Sequence, residues 1–484
     1  MAPYPTAEAV MRQIGYRVSI YMILALSIFS LAHFDAFSRR DSDQRVPSNV
    51  PTELSGIWEA YKILEADFGG VVQVDEYVLI QGALQGLINA IKEKDPSLDL
   101  NEYDLPLQNI NDLWDLWPDI SSLLEAQEVQ IGSDHLEESA IEGMLEALGD
   151  KNTAYLSAGR YDRLKESFES DFEGVGIWAF HQSGETVVSE VIEGTPAQKA
   201  GILAGDVITA VEGVPIADLT IDEVIGMIKG PQGSNVNLLI RRQSDGKETN
   251  ETITVTRDLV RTTSVIWSSL NDDVAYMKID RFRDMADQEM ETALKEILAG
   301  GFGSLILDVR GNTGGIVSTA VSITSQFLTD GLVVYQVDGK GIRTDFAVEP
   351  GGIATEMPLV VLTDRLSASS SEFLAGAVQD RKRAKIVGSK TFGKGSLNEL
   401  RRLDNGSGIY ITSALWYTPN GRLIEGKGLE PDIEAEYERW ITLDPGVVEP
   451  IRGQIGVSIM QYENGIYDVF VDRPLQIALE QLEI

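Results

Sequence analysis

The chain has 484 residues, no cysteine, only three histidines and a formal net charge of −35. That charge excludes a nucleic-acid binder, whose phosphate contacts need clustered Lys and Arg, and suits a solvated enzyme in a salty or extracytoplasmic setting. The absence of cysteine excludes disulfides, thiolate nucleophiles and thiolate zinc sites.

In chain order, residues 1–40 read as a signal peptide or membrane anchor. Val18 to Ala32 is an uncharged run preceded by Arg12 and Arg17. A spanning helix needs ~20 apolar residues and a signal core roughly 7–15. Ser30-Leu31-Ala32 passes as a small-x-small cleavage site, so both a cleaved signal and a retained anchor stand. Either places the rest outside the cytoplasm, expected as the bacterial periplasm, soluble or held at the inner membrane. A buried or amphipathic N-terminal helix is the alternative. Residues 41–54 read as a linker.

Residues 55–170 read as a helical N-terminal region. "VDEYVLIQGALQGLINAIKE" and "LEESAIEGMLEALGDKNTAYL" share an acidic start and an apolar stripe at 3–4 spacing. The insertion 95–135 between them reads as loop or short helix, with Trp114 and Trp117 as packing residues. Residues 171–259 change to short β-rich runs separated by Gly, Pro and Asp turns, with two short helices, the first with Thr195 as N-cap and Pro196 at its first position. Residues 260–436 alternate: "VAYMKI", "GSLILDV", "PLVVLTD" and "GIYITSAL" read as strands, and "ADQEMETALKEILAG", "IVSTAVSITSQFL" and "SSSEFLAGAVQD" between them as helices. That predicts helices covering a largely parallel sheet. The C-terminal extension 437–484 reads as a loop, a strand pair and a last helix.

The chemistry gathers in "LSASSSEFLAGAVQDRKRAKIVGSKTFGKGS", residues 366–396. Ser369-x-x-Glu372 is a capping box ahead of an apolar helix. A cap explains one serine and Glu372, but not Ser367, Ser370 and Ser371. Small side chains at a strand-to-helix turn let a substrate backbone approach, and a helix N-terminus offers free N–H groups that favour negative charge. Ser369 is therefore also a candidate nucleophile beside ready-made oxyanion donors. Its base cannot be a histidine of the alternating region, because His33, His135 and His181 all lie outside 265–436. Lysine is the remaining option. Lys394 stands between Gly393 and Gly395, one helix and one strand beyond Ser369. Drawn inward beside Phe392, its pKa would have to fall from about 10.4 to about 7–8. The alternative is a solvated turn lysine. Lys382, Lys385 and Lys390 read as part of, or just past, a solvated helix end.

"LILDVRGNTGGIVSTA" runs from strand through a glycine turn into a helix. Gly311, Gly314 and Gly315 let backbone N–H groups point at a ligand. The G-K-[ST] ending of a nucleotide loop is missing. An oxyanion hole built from this turn and the Ser370 N–H is the sharper reading. No metal-ligand spacing and no cofactor motif emerges.

With these residues in hand, the chain resembles the carboxy-terminal processing peptidases, or tail-specific proteases, over roughly 140–436. "LDVRGNTGG", "SASSSEFLAGAVQD", "VGSKTFGKGS" and "YTPNGRLIEGKGLEPDI" carry the resemblance. It implies an α/β protease core of crotonase-like alternating sheet and helices, with an inserted β-rich PDZ domain and a helical N-terminal region. It also implies a serine endopeptidase with Ser369 as nucleophile, Lys394 as general base, and Gly315, Gly314 and Ser370 as oxyanion donors. The family commonly has a glutamine four residues after the lysine, orienting it; here that position is Asn398, shorter by one methylene, ~1.5 Å. It usually has alanine after the nucleophile, where this chain has Ser370. Residues 171–259 resemble its PDZ domain, with Gly174, Val175, Gly176 and Ile177 matching the loop that takes a peptide carboxylate. Unfolded or C-terminally exposed proteins are the implied substrates. Membrane association would run through the N-terminal segment, and an oligomer is compatible. Two other readings stand beside this: a catalytically silent PDZ scaffold, and an acyl-CoA enzyme on a similar core.

Overall fold

The computed structural model describes residues 46–100, 103, 106–166, 171–182, 185–244, 247–436, 438–443, 457–461 and 467–482. The expected signal or anchor at 1–40 lies outside the described residues, as do residues 41–45 of the expected linker. Among the described residues no helix is long and apolar enough to cross a membrane. The chain divides into two units, residues 169–263 and the remainder.

In the larger unit, the two look-alike stretches form the helices Glu76–Lys94 and Ser133–Leu148, which pack against each other. Asp75 caps the first through the Tyr77 and Val78 N–H groups. Leu79, Ala83, Leu84 and Leu87 of the first and Ala140, Ile141 and Met144 of the second lie in one buried core. The insertion holds more helix than the sequence pattern predicts: Ile110–Ala126 is helical throughout. Asn109 and Asp112 make its capping box, and Leu113, Trp114, Trp117, Ile120 and Leu124 bury one face. The 3–4 spacing of those residues is the signal that a loop assignment overlooks.

The central sheet has six strands in the order Val265–Ser269, Val274–Ile279, Ser304–Asp308, Leu359–Thr363, Lys385–Gly388 and Ile433–Glu434. The first pair is antiparallel and every later pair parallel. Side chains alternate between two cores, as strand geometry requires. Leu305, Leu307, Val361 and Ile386 face the helices Ala286–Ala299, Val317–Ser325 and Ser370–Asp380. Ile306, Val360, Leu362 and Val387 face Ala478 of the C-terminal helix Arg473–Leu482. Apolar cover on both faces is why these strands read as continuous hydrophobic runs.

"GIYITSAL" does not join this sheet. Gly408–Tyr417 lies in a second, antiparallel sheet, where it pairs with Ala154–Leu156, Leu332–Asp338 and Ser396–Arg402. The Asn405-Gly406 turn between Ser396–Arg402 and Gly408–Tyr417 is a hairpin signal, with Gly406 at φ 88°. Among its described residues the tail forms three antiparallel strands rather than a pair, Glu438–Leu443, Val457–Gln461 and Tyr467–Val471, ahead of its helix.

The smaller unit is a sheet ordered Ile177–Gln182, Glu185–Val191, Val207–Val211, Asn235–Ser244 and Lys247–Thr256. Asp171–Gly174 pairs with Asp258–Arg261 and ties the unit's two ends together. Its core gathers Val175, Val188, Ile208, Val224 and Leu238. Thr220 and Glu223 cap the helix Ile221–Ile228 with a capping box. Thr195 precedes the helix Pro196–Lys199 but does not cap it with its side chain; its hydroxyl donates to the Ile192 carbonyl at 2.6 Å.

Candidate active site

Three neighbouring parallel strands, Ser304–Asp308, Leu359–Thr363 and Lys385–Gly388, each run out at their carboxyl ends into a segment with chemistry. The first leads into the glycine turn 311–315, the second into Ser369, the third into Lys394. Ligands of open α/β sheets collect at this edge, because the strand-to-helix turns bring helix N-termini together there.

The four serines separate by what their hydroxyls do. Ser367 Oγ donates to the Val309 carbonyl at 2.8 Å, Ser371 Oγ to the Asn312 carbonyl at 2.8 Å, and Ser370 Oγ to the Gly315 carbonyl at 3.0 Å. These three lace the serine loop to the glycine turn. Ser369 Oγ is fully buried and makes no hydrogen bond. Ser369 also sits at φ 54°, ψ −117°. For a residue with a Cβ that strain costs about 1–3 kcal/mol, and such strain persists only where the surroundings impose it.

Glu372 does the imposing. Its Oε2 accepts from the Ser369 N–H at 2.9 Å and the Lys394 N–H at 2.8 Å. Its Oε1 accepts from Thr391 Oγ1 at 2.5 Å and the Gly393 N–H at 2.8 Å. One buried carboxylate thus holds the main chains of both candidate residues. Burial pushes it up to about 7 despite the four donors. The sequence marks Glu372 only as a cap; its bonds to 391–394 cross from helix to loop and leave no local pattern.

Lys394 is 1% exposed. Burial pushes its amine down to about 8, against the opposing pull of Glu425 and Asp150. Gly395 makes this burial feasible, since a Cβ there would lie 2.0 Å from the Glu425 amide nitrogen. Phe392 stays outside, 45% exposed. Lys394 Nζ donates to Asn152 Oδ1 at 2.8 Å. Asn398 does not bond the amine. Its Nδ2 donates to the Asn152 carbonyl at 2.8 Å and Thr412 Oγ1 at 3.1 Å, and its Oδ1 accepts from Ser396 Oγ at 2.9 Å. Asn152 is a site residue that no quoted motif contains, and Glu425 lies in "YTPNGRLIEGKGLEPDI", which carries the family resemblance without marking this contact.

In the glycine turn, the Gly314 N–H is taken by Asn312 Oδ1 at 2.8 Å. The Gly314 carbonyl accepts from the Phe282 N–H at 3.1 Å. Because the peptide is planar and trans, that bond turns the Gly315 N–H to the opposite side. A Cβ on Gly315 would lie 2.2 Å from the Phe282 carbonyl oxygen, and its φ is 151°. The Ser370 N–H lies in the first helical turn, where no intrahelical acceptor exists. An unbonded hydroxyl, an amine of lowered pKa and two such N–H groups are the parts that acyl transfer needs. Among the described residues no cluster of His, Asp and Glu could hold a metal ion.

Residues 273–435 match the family model of peptidase family S41, and residues 187–242 that of a PDZ domain. The carboxy-terminal-processing protease of Bartonella bacilliformis is 34% identical over 326 residues, spanning 66% of this chain and 74% of that one. The chain belongs to peptidase family S41, the carboxy-terminal-processing serine peptidases. A probable CtpA-like serine protease of Staphylococcus epidermidis is 32% identical over 64% of this chain and 63% of its own length. The solved photosystem II D1 C-terminal processing protease aligns at 26% identity and a TM-score of 0.47, covering 80% of this chain and 94% of that one.

In the PDZ domain of this peptidase, Ile177–Gln182 is the end strand of its sheet among the described residues, and an end strand is where an extended chain can add. Gly174 to Ile177 leads into that edge. Gly176 has φ 86°, and the Val175 carbonyl accepts from the Ala197 N–H at 2.8 Å.

Proposed function

We propose that this peptidase cleaves protein chains through a Ser369–Lys394 dyad, selecting substrates by their free C-termini. The neutral Lys394 amine takes the Ser369 hydroxyl proton as Oγ attacks the scissile carbonyl. The N–H groups of Gly315 and Ser370 stabilise the tetrahedral oxyanion. Gly314, whose N–H is already bonded, acts by fixing the turn. The protonated lysine passes its proton to the leaving amine, which departs, and an acyl-Ser369 ester remains. Lys394 then takes a proton from a water as that water attacks the ester, and returns it to Ser369 Oγ as the acyl C–O bond breaks and the carboxylic acid product leaves. With an amine at about 8, about a tenth is neutral at pH 7, against roughly one part in 3,000 for an ordinary lysine.

The observation that carries this reading is the isolation of Ser369. Of four buried serine hydroxyls in one loop, it alone has no bond. Ser369 Oγ and Lys394 Nζ are not hydrogen-bonded here, and catalytic hydrogen bonds of this kind often tighten only with substrate in place. The open edge Ile177–Gln182 and the loop 174–177 would add the substrate's C-terminal strand and hold its carboxylate. Unfolded proteins supply such ends. The N-terminal apolar run supports action outside the cytoplasm, at a membrane or free of it.

The test compares wild type, Ser369→Ala and Lys394→Ala on an unfolded protein with a free or an amidated C-terminus. Cleavage by wild type alone, slowed by amidation, is expected. Equal binding by all three with no cleavage would leave a scaffold, and retained cleavage by either variant would remove the dyad.

A further inference from the structure

Asn152 lies far in sequence from the dyad, in the turn after helix Ser133–Leu148. Its side-chain oxygen accepts the Lys394 Nζ–H at 2.8 Å, while its Nδ2 donates to Glu425 Oε1 at 2.9 Å. The amide therefore has a fixed sense. A carboxylate only accepts, so Nδ2 must face Glu425 and Oδ1 must face the amine. Glu425 is itself anchored, its Oε2 accepting from the Gly395 N–H at 2.8 Å. The main chain of Asn152 is fixed as well. Its carbonyl takes the Asn398 Nδ2–H. On either side, Asp150 Oδ2 accepts from Thr153 Oγ1 at 2.7 Å and Thr412 Oγ1 at 2.6 Å, and Thr153 Oγ1 accepts from the Thr412 N–H at 3.1 Å.

We propose that Asn152 is the positioning residue for Lys394, and that Asn398 acts one step further back, by holding the Asn152 main chain. The inference rests on Lys394 being the general base. A neutral amine has one lone pair on a flexible four-carbon stem. Committing one N–H to Asn152 restricts how that lone pair can turn, and misplacement of a reacting group by about 1 Å can cost ~100-fold in rate. The charged and titratable groups around the amine are the carboxylates of Glu425 and Asp150, the ring of Tyr410 at 5.9 Å, and Glu372 on the lysine's own N–H. Tyr410 in turn interacts electrostatically with Arg281.

The two informative variants move the titration in opposite directions. Asn152→Ala removes an acceptor that favours the ammonium form, so the alkaline rise of kcat/KM shifts to lower pH. Its maximal kcat falls about 10- to 100-fold with KM unchanged. Asn152→Asp places a carboxylate against the amine, so the rise shifts to higher pH by about one unit or more. The pH profiles of wild type, both variants and Lys394→Ala are measured on the full chain with an unfolded substrate, with circular dichroism at each pH as the check on folding. Opposite shifts of the two variants establish the role. If both folded variants keep the wild-type titration and kcat, the positioning role is overturned while the dyad stands. If Lys394→Ala is active, or wild type shows no such rise, the dyad itself has failed. If Ala does not fold, the direction of the Asp shift decides.

Discussion

Replacing Lys394 by methionine should abolish cleavage and stabilise the protein at neutral pH. A pKa that falls from 10.5 to about 8 on folding corresponds, at 1.36 kcal/mol for each unit of pKa, to about 3 kcal/mol of disfavoured charge. The direction follows from proton linkage. Between pH 8 and 10.5 the unfolded chain binds a proton at this lysine that the folded chain does not, so stability rises with pH there. Below pH 8 the whole cost is present. Methionine fills nearly the same volume without charge. It forfeits the bond to Asn152 and leaves Oδ1 unpaired, which returns roughly 1 kcal/mol. The net gain at pH 7 is about 2 kcal/mol. Urea denaturation measures it, with fluorescence including that of the fully buried Trp416, whose backbone N–H donates to the Gly395 carbonyl at 2.7 Å. The gap between variant and wild type should close as pH approaches 10.5, and the other titrating groups cancel in the difference. A Lys394→Met protein no more stable than wild type at pH 7, or a gap unchanged at pH 10.5, would show that the buried amine carries no such cost.

Two further outcomes follow from the same cluster. Glu372 is raised from 4.5 to about 7 by burial, so folded-state stability should fall as pH rises from about 4.5 to 7, by about 3 kcal/mol from this group; Glu372→Gln should lose that slope in pH-dependent denaturation, and should also lose most activity because Ser369 and Lys394 no longer share an acceptor. Gly395→Ala should inactivate the enzyme while the PDZ domain still binds a C-terminal peptide, because the new Cβ would meet the Glu425 amide nitrogen at 2.0 Å; peptide binding by titration calorimetry alongside cleavage separates the two.

What the sequence makes legible is whatever is local or periodic. The helices 76–94 and 133–148, the buried parallel strands and the turn–helix motif at Ser369 all follow from spacing and caps. The second sheet is less legible, because Gly408–Tyr417 is as apolar as a parallel strand and only the Asn405-Gly406 turn betrays a hairpin. In the site, Ser369 and Lys394 stand out by composition and resemblance. Asn152 does not, since an asparagine beside a turn has ordinary local reasons to be there. Its contact with Lys394 spans two regions of chain that meet only when Ala154–Leu156 pairs with Gly408–Tyr417. Asn398 shows the converse: it stands four residues after Lys394, where the resemblance places an orienting side chain, yet its amide is spent on Asn152 and Thr412 rather than on the amine.

The most direct measurement is covalent labelling of the full chain by a fluorophosphonate, in which the attacking serine oxygen displaces fluoride. Peptide mass spectrometry then locates the adduct across a range of pH. A single adduct on Ser369 is expected, formed at a rate that rises with an apparent pKa near 8 and collapses in Lys394→Ala. Labelling of Ser367, Ser370 or Ser371 in its place, or a rate on Ser369 indifferent to pH and to the loss of Lys394, would contradict it.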